Sequence, residues 1–229
     1  MSGPGKAKLI SKKTLTNDTI ELSFEVLSDF EYLAGQFINI KIDDDKGFPC
    51  FRAYSISGFE NGIMELCVKI IKNGRGSVFM NSLKEGEEIT FIGPTGKFVY
   101  AGENAAIFIA TGSGIAPIKA IISEEAKNPD NKLTLLFGLR FEEDIYYKEF
   151  FENLKKSHSN FDFILTLSRP SEAWSGKRGR VTQFLNEKEL PHFKESAFYI
   201  CGNPEMVQDT EKTLLENGII PEKIHTEKY

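Results

Sequence analysis

The amino-acid sequence predicts two domains, an antiparallel β-barrel in residues 1–101 and an α/β domain with a parallel sheet in residues 102–229. The length of 229 residues exceeds that of one typical domain, which has roughly 100 to 150 residues. Short strand-like segments separated by turn residues fill the first half. From residue 105 onward, apolar strand-like segments alternate with longer helical ones, a pattern typical of a parallel α/β sheet.

Six strands are predicted in the first domain, with turns at sites such as Asn61-Gly62 and Gly93-Pro94. They cover residues 6–15, 19–26, 36–42, 52–57, 63–71 and 88–92. Residues 76–83 hold few strand formers and follow a glycine pair, so they are predicted to form a short helix. Strands at this spacing indicate a small antiparallel barrel.

The second domain is predicted to alternate strands and helices. The strands cover residues 105–110, 132–139, 161–168 and 197–201, and the helices cover residues 115–127, 145–156, 180–185 and 205–217. The domain boundary is placed within residues 100–104. Because strands and helices alternate, we expect a parallel sheet covered by helices.

Composition and charge argue against several classes of protein. The net charge of −5 disfavours binding to nucleic acid or to an anionic membrane. The longest apolar runs, residues 105–110 and 115–122, are too short to cross a bilayer, which takes about 20 residues. The N-terminal residues lack the apolar core of a secretory signal, so we expect a cytoplasmic protein with no membrane span.

The three cysteines, Cys50, Cys67 and Cys201, are widely spaced. Their spacing matches neither a disulfide framework nor the ligand set of a zinc or iron–sulfur site. We therefore expect no metal, and any redox centre should be organic.

One barrel strand contains Arg52-Ala53-Tyr54-Ser55. Alternation along a strand places Arg52 and Tyr54 on one face, where the guanidinium could bind a phosphate and the phenol ring could cover a planar ligand. An amphipathic barrel strand with an outward arginine and tyrosine explains the same residues.

Gly74-Arg75-Gly76-Ser77 precedes the predicted short helix. Glycines before a helix leave backbone N–H groups free at its positive end, and the Ser77 hydroxyl could add a donor for a pyrophosphate. A hairpin turn with a serine N-cap is the alternative.

Two further turns follow apolar strands at the edge where open α/β sheets bind ligands. Thr111-Gly112-Ser113-Gly114-Ile115-Ala116-Pro117 leads into a helix but carries Pro117 where a dinucleotide-binding fingerprint would have its last glycine. Cys201-Gly202-Asn203-Pro204 forms the second turn. A plain strand-to-helix connection remains the alternative for the first turn.

Taken in order, these motifs and the terminal Glu227-Lys228-Tyr229 resemble those of the ferredoxin–NADP reductase family, over essentially the whole chain. The terminal residues are similar to those of its plant-type branch. The resemblance implies a barrel that binds FAD and a Rossmann-like α/β domain that binds NADP, with the C-terminal residues returning to the flavin.

The resemblance also implies roles for individual residues. FAD would contact Arg52, Ala53, Tyr54, Ser55, Gly74, Gly76 and Ser77, with backbone contacts from Val68 and Lys69. The nicotinamide dinucleotide would contact Thr111, Gly112, Ser113, Gly114, Pro117, Cys201, Gly202 and Pro204. Ser55, Cys201, Glu227 and Tyr229 would form the catalytic site, with Ser55 near flavin N5 and Tyr229 stacked on the flavin as a gate.

The choice between NADPH and NADH is assigned to the turn after residues 161–168. A ribose 2′-phosphate needs cations and a hydroxyl donor, which Ser168, Arg169, Lys177 and Arg178 could supply. We therefore expect NADPH rather than NADH. A solvated basic loop is the alternative.

The predicted function is that of an FAD-dependent NADPH oxidoreductase that exchanges electrons with a small one-electron carrier, ferredoxin or flavodoxin, and acts as a monomer. A flavin or cytochrome reductase, or the reductase component of an oxygenase system, is the alternative. Because the chain has no cysteine cluster for an iron–sulfur module, its electrons should leave to a separate protein or molecule.

Overall fold

The first domain is a closed antiparallel barrel, seen in a computed structural model that describes residues 4–43, 48 and 50–228. Its strands are β1 (Gly5–Thr16), β2 (Thr19–Val26), β3 (Phe37–Ile42), β4 (Cys50–Glu60), β5 (Ile63–Lys69) and β6 (Glu88–Thr95). They are joined in the order β1-β2-β5-β4-β3-β6. Alternate residues point inward, as Ile38, Ile40 and Ile42 do in β3, and fill the barrel.

A short helix, α1 (Arg75–Ser82), connects β5 to β6. Its Met80 side chain is buried in the barrel core, so the packing of that side chain holds the helix against the barrel. The N-terminus of α1 therefore has a fixed position beside the strands.

The second domain is a parallel sheet of six strands in the order β10-β9-β8-β7-β11-β12. These are β7 (Ala105–Thr111), β8 (Lys132–Leu139), β9 (Phe161–Leu167), β10 (Lys177–Arg178), β11 (Ala197–Gly202) and β12 (Ile224–Lys228). The chain runs outward from β7 through β8 and β9, then returns to place β11 on the other side of β7. Between β7 and β11 there is therefore a topological switch point, where sheets of this kind bind ligands.

Helices cover both faces of this sheet. The helices are α2 (Ile115–Glu125), α3 (Lys148–Ser157) and α4 (Pro204–Glu216). Ile118 of α2 and Phe151 of α3 belong to one buried cluster, and Val207 and Leu214 of α4 belong to another. The parallel arrangement predicted from the alternating pattern is confirmed.

Several predicted elements differ in detail from the observed ones. Helix α3 begins at Lys148 rather than at residue 145, because Tyr147 has a left-handed backbone conformation with φ of 57° that precedes the helix. The predicted helix at residues 180–185 is a 3-10 turn, Val181–Phe184. Strands β10 and β12 were not predicted from the pattern.

The two domains pack directly against each other. Cys67 of β5 and Phe98 lie in the same buried cluster as α2 and the parallel sheet. The segment between β6 and β7 is anchored to the second domain, where the Ala101 N–H donates to the Tyr199 hydroxyl at 2.9 Å. We propose that the domains divide between residues 101 and 102.

None of the described helices is both long and apolar enough to cross a membrane.

Candidate active site

The barrel contributes strand β4 and the start of α1, and these two predicted motifs are neighbours in space. Arg52 and Ala53 are exposed, Tyr54 is half-buried and Ser55 is buried. A Cβ at Gly76 would lie 2.6 Å from the Tyr54 hydroxyl and 3.2 Å from Arg52 Cγ. Only a glycine allows this approach, so β4 and the N-terminus of α1 together form one cradle.

The N-terminus of α1 is suited to bind an anion through its backbone. Gly74 is the N-cap residue and no side chain caps the helix. Helix N-termini carry N–H groups without intrahelical partners and a partial positive charge. The backbone of this turn is therefore suited to a pyrophosphate, and that contact stays a prediction.

The Ser77 hydroxyl, however, already has partners within the turn. Its Oγ accepts a hydrogen bond from the Ile71 N–H at 2.9 Å and lies 3.4 Å from the Lys69 carbonyl oxygen. A serine N-cap was the alternative interpretation, but Gly74 holds that position instead. Ser77 therefore stabilises the cradle, and its contact with a pyrophosphate stays a prediction.

Val68 and Lys69 lie at the end of β5, where they pair with Ile20 and Thr19 of β2. The ladder between β4 and β5 ends at the Ile56–Leu66 pair. The backbone of Val68 and Lys69 is therefore not paired with β4, and the backbone contacts assigned to these residues stay a prediction.

The parallel sheet contributes the carboxyl ends of the strands at its switch point. Thr111 ends β7, and Cys201 of β11 pairs with Ala110 on one side and with Glu227 of β12 on the other. Gly112–Gly114 then form a 3-10 turn that leads into α2, with Pro117 in its first turn. The structure thus brings Thr111, Cys201, Gly202 and Glu227 to one edge.

Close packing fixes the glycine-rich turn to β11. A Cβ at Gly114 would lie 2.2 Å from the Cys201 carbonyl oxygen and 2.6 Å from Gly202 Cα. Pro204 is the first residue of α4, and the Asn203 side chain caps that helix by accepting from the Glu205 N–H at 2.9 Å. Sequence reasoning missed the cap, although asparagine before proline is a common helix start.

Two buried polar atoms at this edge have no hydrogen-bond partner among the described residues. They are Thr111 Oγ1 and Glu227 Oε2. Burial raises the pKa of the Glu227 carboxyl to about 7. Because buried polar groups in proteins are nearly always hydrogen-bonded, these atoms fit a site that receives a polar ligand.

The turn after β9 holds the residues assigned to a 2′-phosphate, and two of them have other partners. Lys177 Nζ pairs with Glu189 and lies 5.2 Å from the centre of the Phe184 ring. Arg178 donates to the carbonyl oxygens of Ser171, Glu172 and Trp174. Both side chains hold the loop together and would have to leave these contacts to reach a phosphate.

Arg169 is exposed, and its side chain makes no hydrogen bond or ion pair within the described part of the chain. Its N–H donates to the Arg140 carbonyl oxygen at 2.9 Å, next to the half-buried Ser168. Arg140 was not predicted, although its position directly after β8 is the same signal that identified Ser168 and Arg169.

Tyr229 lies outside the described residues, as do residues 1–3, 44–47 and 49.

Both halves of this arrangement match domain families of oxidoreductases. Residues 6–100 match the oxidoreductase FAD-binding domain, and residues 108–212 match the oxidoreductase NAD-binding domain. With the glycine cradle on the barrel and the polar switch point on the sheet, the protein is of the class of two-domain flavoenzymes that bind FAD and a nicotinamide dinucleotide.

One curated relative is similar over nearly its whole length. The chain is 32% identical to ferredoxin–NADP reductase B of Sorangium cellulosum, over 99% of this chain and 98% of that protein. The chain therefore belongs to the ferredoxin–NADP reductase family and is an FAD- and NAD(P)-dependent reductase.

Other relatives are longer proteins or share the fold. The phenol hydroxylase P5 protein of Acinetobacter pittii is 30% identical over 98% of this chain, which spans 65% of that protein. Several further curated relatives are longer still, and the chain spans only 54% of one of them. The crystal structure of a ferredoxin NADP+ reductase from Neisseria gonorrhoeae with bound FAD and NADP has a TM-score of 0.87 and 25% identity, over 100% of this chain and 99% of that chain.

Proposed function

We propose that the protein transfers electrons between NADP(H) and a small one-electron carrier protein, ferredoxin or flavodoxin, as a cytoplasmic monomer. The observation that supports the carrier is the similarity to a ferredoxin–NADP reductase over nearly the full length of both chains. The three cysteines of this chain lie apart, in β4, β5 and β11, so they cannot bind an iron–sulfur cluster together.

The barrel residues bind and orient the flavin. Arg52 binds phosphate through its guanidinium, Tyr54 covers the ring system, and the N-terminal N–H groups of α1 bind the pyrophosphate. Ser55 is buried beside Tyr54 and provides a hydroxyl near the reacting edge. The chemistry that FAD supplies when bound is the acceptance of a hydride from NADPH and the release of electrons to the carrier.

The sheet residues bind the nicotinamide dinucleotide. The turn at Gly112–Gly114 and the N-terminus of α2 bind its pyrophosphate, and Thr111 and Glu227 contact its nicotinamide end. Cys201 and Gly202 lie on β11, between Thr111 of β7 and Glu227 of β12. Cys201 and Gly202 are buried there and Thr111 and Glu227 are half-buried, so these residues would hold the bound nicotinamide in a fixed orientation.

Ser168 and Arg169 support NADPH over NADH. An exposed arginine without a described protein partner, beside a serine hydroxyl, suits a ribose 2′-phosphate. Lys177 and Arg178 act by holding the loop that carries this site.

A diaphorase assay on the purified FAD-loaded protein tests the proposal. NADPH should support faster turnover than NADH, and ferredoxin or flavodoxin should then be reduced in a coupled assay. Faster turnover with NADH, or no reduction of either carrier, would contradict it.

The reductase component of an oxygenase is the second candidate function, because the phenol hydroxylase P5 protein is 30% identical over 98% of this chain. Reduction of an oxygenase component with neither carrier active would favour it. A flavin reductase that uses flavin as a substrate would lose FAD on desalting, so retained FAD would argue against that alternative.

A further inference from the structure

A lysine is buried in the interface between the two domains. Lys119 lies on α2 and is 6% exposed. It is the one charged residue within the otherwise apolar segment of residues 115–122. A lysine is almost never fully buried unless its ammonium group is paired, so its surroundings must provide that pairing.

The hydrogen bonds of the Lys119 ammonium group, within the described part of the chain, all reach the other domain. Its Nζ donates to Glu65 Oε2 of β5 at 2.7 Å and to the Ser57 carbonyl oxygen of β4 at 3.2 Å. The rings of Tyr147 and Phe150 lie 5.2 Å and 4.9 Å from the same nitrogen. One cation thus links α2 to two strands of the barrel.

A second contact beside it crosses the same interface. The Tyr147 hydroxyl donates to Glu21 Oε2 of β2 at 2.5 Å. Tyr147 adopts a left-handed backbone conformation, which a bulky residue rarely takes unless its surroundings require it. The ring that faces Lys119 is therefore itself tied to the barrel.

Stability alone does not explain a buried lysine. The free-energy cost of removing a charge from water offsets much of the stability that its ion pair contributes. An apolar side chain of similar volume often stabilises the folded state as well. The Lys119 ammonium group is buried while Glu65 is partly exposed, and directional bonds of this kind are satisfied in only one arrangement of the two sides. Such a pair can specify how the two sides are aligned.

The two sides that Lys119 aligns carry the two halves of the candidate active site. Helix α2 starts directly after the turn at Gly112–Gly114, which we assign to the nicotinamide dinucleotide. Ser57 lies on the same strand as Tyr54 and Ser55, which we assign to the flavin. A shift at Lys119 would therefore move one half of the site relative to the other.

We infer that Lys119 is a positioning residue, whose bonds to Glu65 and Ser57 fix the alignment of the two domains and so the separation between nicotinamide and flavin. The inference rests on the FAD- and NAD(P)-dependent activity of the family and is independent of which carrier accepts the electrons. A misplacement of about 1 Å between reacting groups can slow a reaction about 100-fold.

The test compares Lys119→Met with Lys127→Met in the FAD-loaded protein. Lys127 is an exposed lysine close to the end of α2 that pairs with Glu124 on its own domain. Turnover with NADPH and an artificial acceptor should fall about 10- to 100-fold in Lys119→Met, while the Kd for NADP+ stays within about twofold. Lys127→Met should match the wild type in both.

A second readout measures the alignment itself. Spin labels at Glu60→Cys on the barrel and Lys212→Cys on α4, in a Cys50→Ser background, report the distance between the domains. Glu60 and Lys212 are exposed, and Cys67 and Cys201 are buried, so labelling is selective. The distance distribution should broaden or shift in Lys119→Met and not in Lys127→Met.

Unchanged turnover, or an unchanged distance distribution, would overturn the inference. If Lys119→Met does not fold, Glu65→Gln takes its place, because it keeps the shape of the partner and removes its charge. It should then show the same fall in turnover and the same broadening. Failure of ferredoxin or flavodoxin reduction alone would count against the proposed carrier and leave both readouts intact.

Discussion

At the residue scale, the approach of Gly76 to Tyr54 is the sharpest test of the flavin cradle. Gly76→Ala would place a methyl group 2.6 Å from the Tyr54 hydroxyl, so the tyrosine or the helix must move. FAD affinity should fall at least about tenfold, equivalent to about 1.4 kcal/mol. Titration of the apoprotein with FAD measures the effect.

Gly74→Ala is the matched control. Its Cβ would come no closer than 3.3 Å to another atom, and Gly74 has φ of −70°, which alanine adopts readily. It should bind FAD nearly as well as the wild type. Equal losses in the two variants would show that the turn responds to any side chain and that the contact with Tyr54 is unimportant.

The buried Glu227 predicts how stability depends on pH. Its pKa is raised to about 7 from a usual 4.5, so the folded state binds its proton more tightly than the unfolded state does. The folded state is therefore penalised increasingly as the pH rises from about 4.5 to about 7. Glu227→Gln should remove this penalty and become relatively more stable across that window.

Urea unfolding of the apoprotein at a series of pH values measures this difference. The exposed Glu222 provides Glu222→Gln as the control, whose difference from the wild type should not follow the same pH window. A constant difference between Glu227→Gln and the wild type from pH 4.5 to pH 7 would contradict the assignment.

At the scale of elements, variants in the loop between β9 and β10 should distinguish residues that select the cofactor from residues that stabilise the loop. Arg169→Ala removes a cation that has no described partner, so it should raise the KM for NADPH and leave that for NADH nearly unchanged. A lost charged hydrogen bond of about 1.5 to 3 kcal/mol corresponds to a rise of roughly 10- to 100-fold.

Arg178→Ala is the informative comparison, because Arg178 holds the carbonyl oxygens of Ser171, Glu172 and Trp174. Its removal should loosen the loop and raise both KM values together. Steady-state kinetics with each dinucleotide distinguishes the two cases. A parallel loss in Arg169→Ala would mean that Arg169 also has a structural role.

The elements that the sequence predicts well are those whose signals are local. The strands of the barrel and the apolar strands of the sheet follow from alternation and from turn residues, and the glycine-rich turns stand at strand ends. Strand β10 has only two residues, too few for any periodicity. Strand β12 is short and forms because β11 offers it an edge.

The parts of the site that were missed depend on contacts between distant segments. Nothing in the local sequence identifies Glu189 or the loop carbonyls as partners of Lys177 and Arg178, and the contact of these two side chains with a phosphate stays a prediction. Lys119 did interrupt an apolar helix, and that was a usable signal. Its partners Ser57 and Glu65 could be found only from the packing of the domains.

At the scale of the whole molecule, the shared buried cluster predicts that the two domains unfold together. Trp174 is the single tryptophan, and it packs against the cluster that also contains Cys67 of the barrel. Saturating FAD stabilises the folded state by mass action. We place FAD on the barrel, whereas Trp174 lies in the other domain. FAD should nevertheless raise the midpoint of the unfolding transition that Trp174 fluorescence reports.

Guanidinium unfolding, followed by Trp174 fluorescence and by far-ultraviolet circular dichroism, measures this coupling. The two signals should have one midpoint, with and without FAD. A Trp174 transition that does not respond to FAD would indicate that the domains unfold independently.

The short outer strands of the parallel sheet limit the pairing of strands between molecules. The strands of the described barrel pair in a closed ring, and the outer strands of the described sheet are β10, with two residues, and β12, with five. Both residues of β10 are cationic, and the outward edge of a short charged strand is a poor template for adding a strand from another molecule. The protein can therefore meet a partner at high concentration with little tendency toward intermolecular sheet growth.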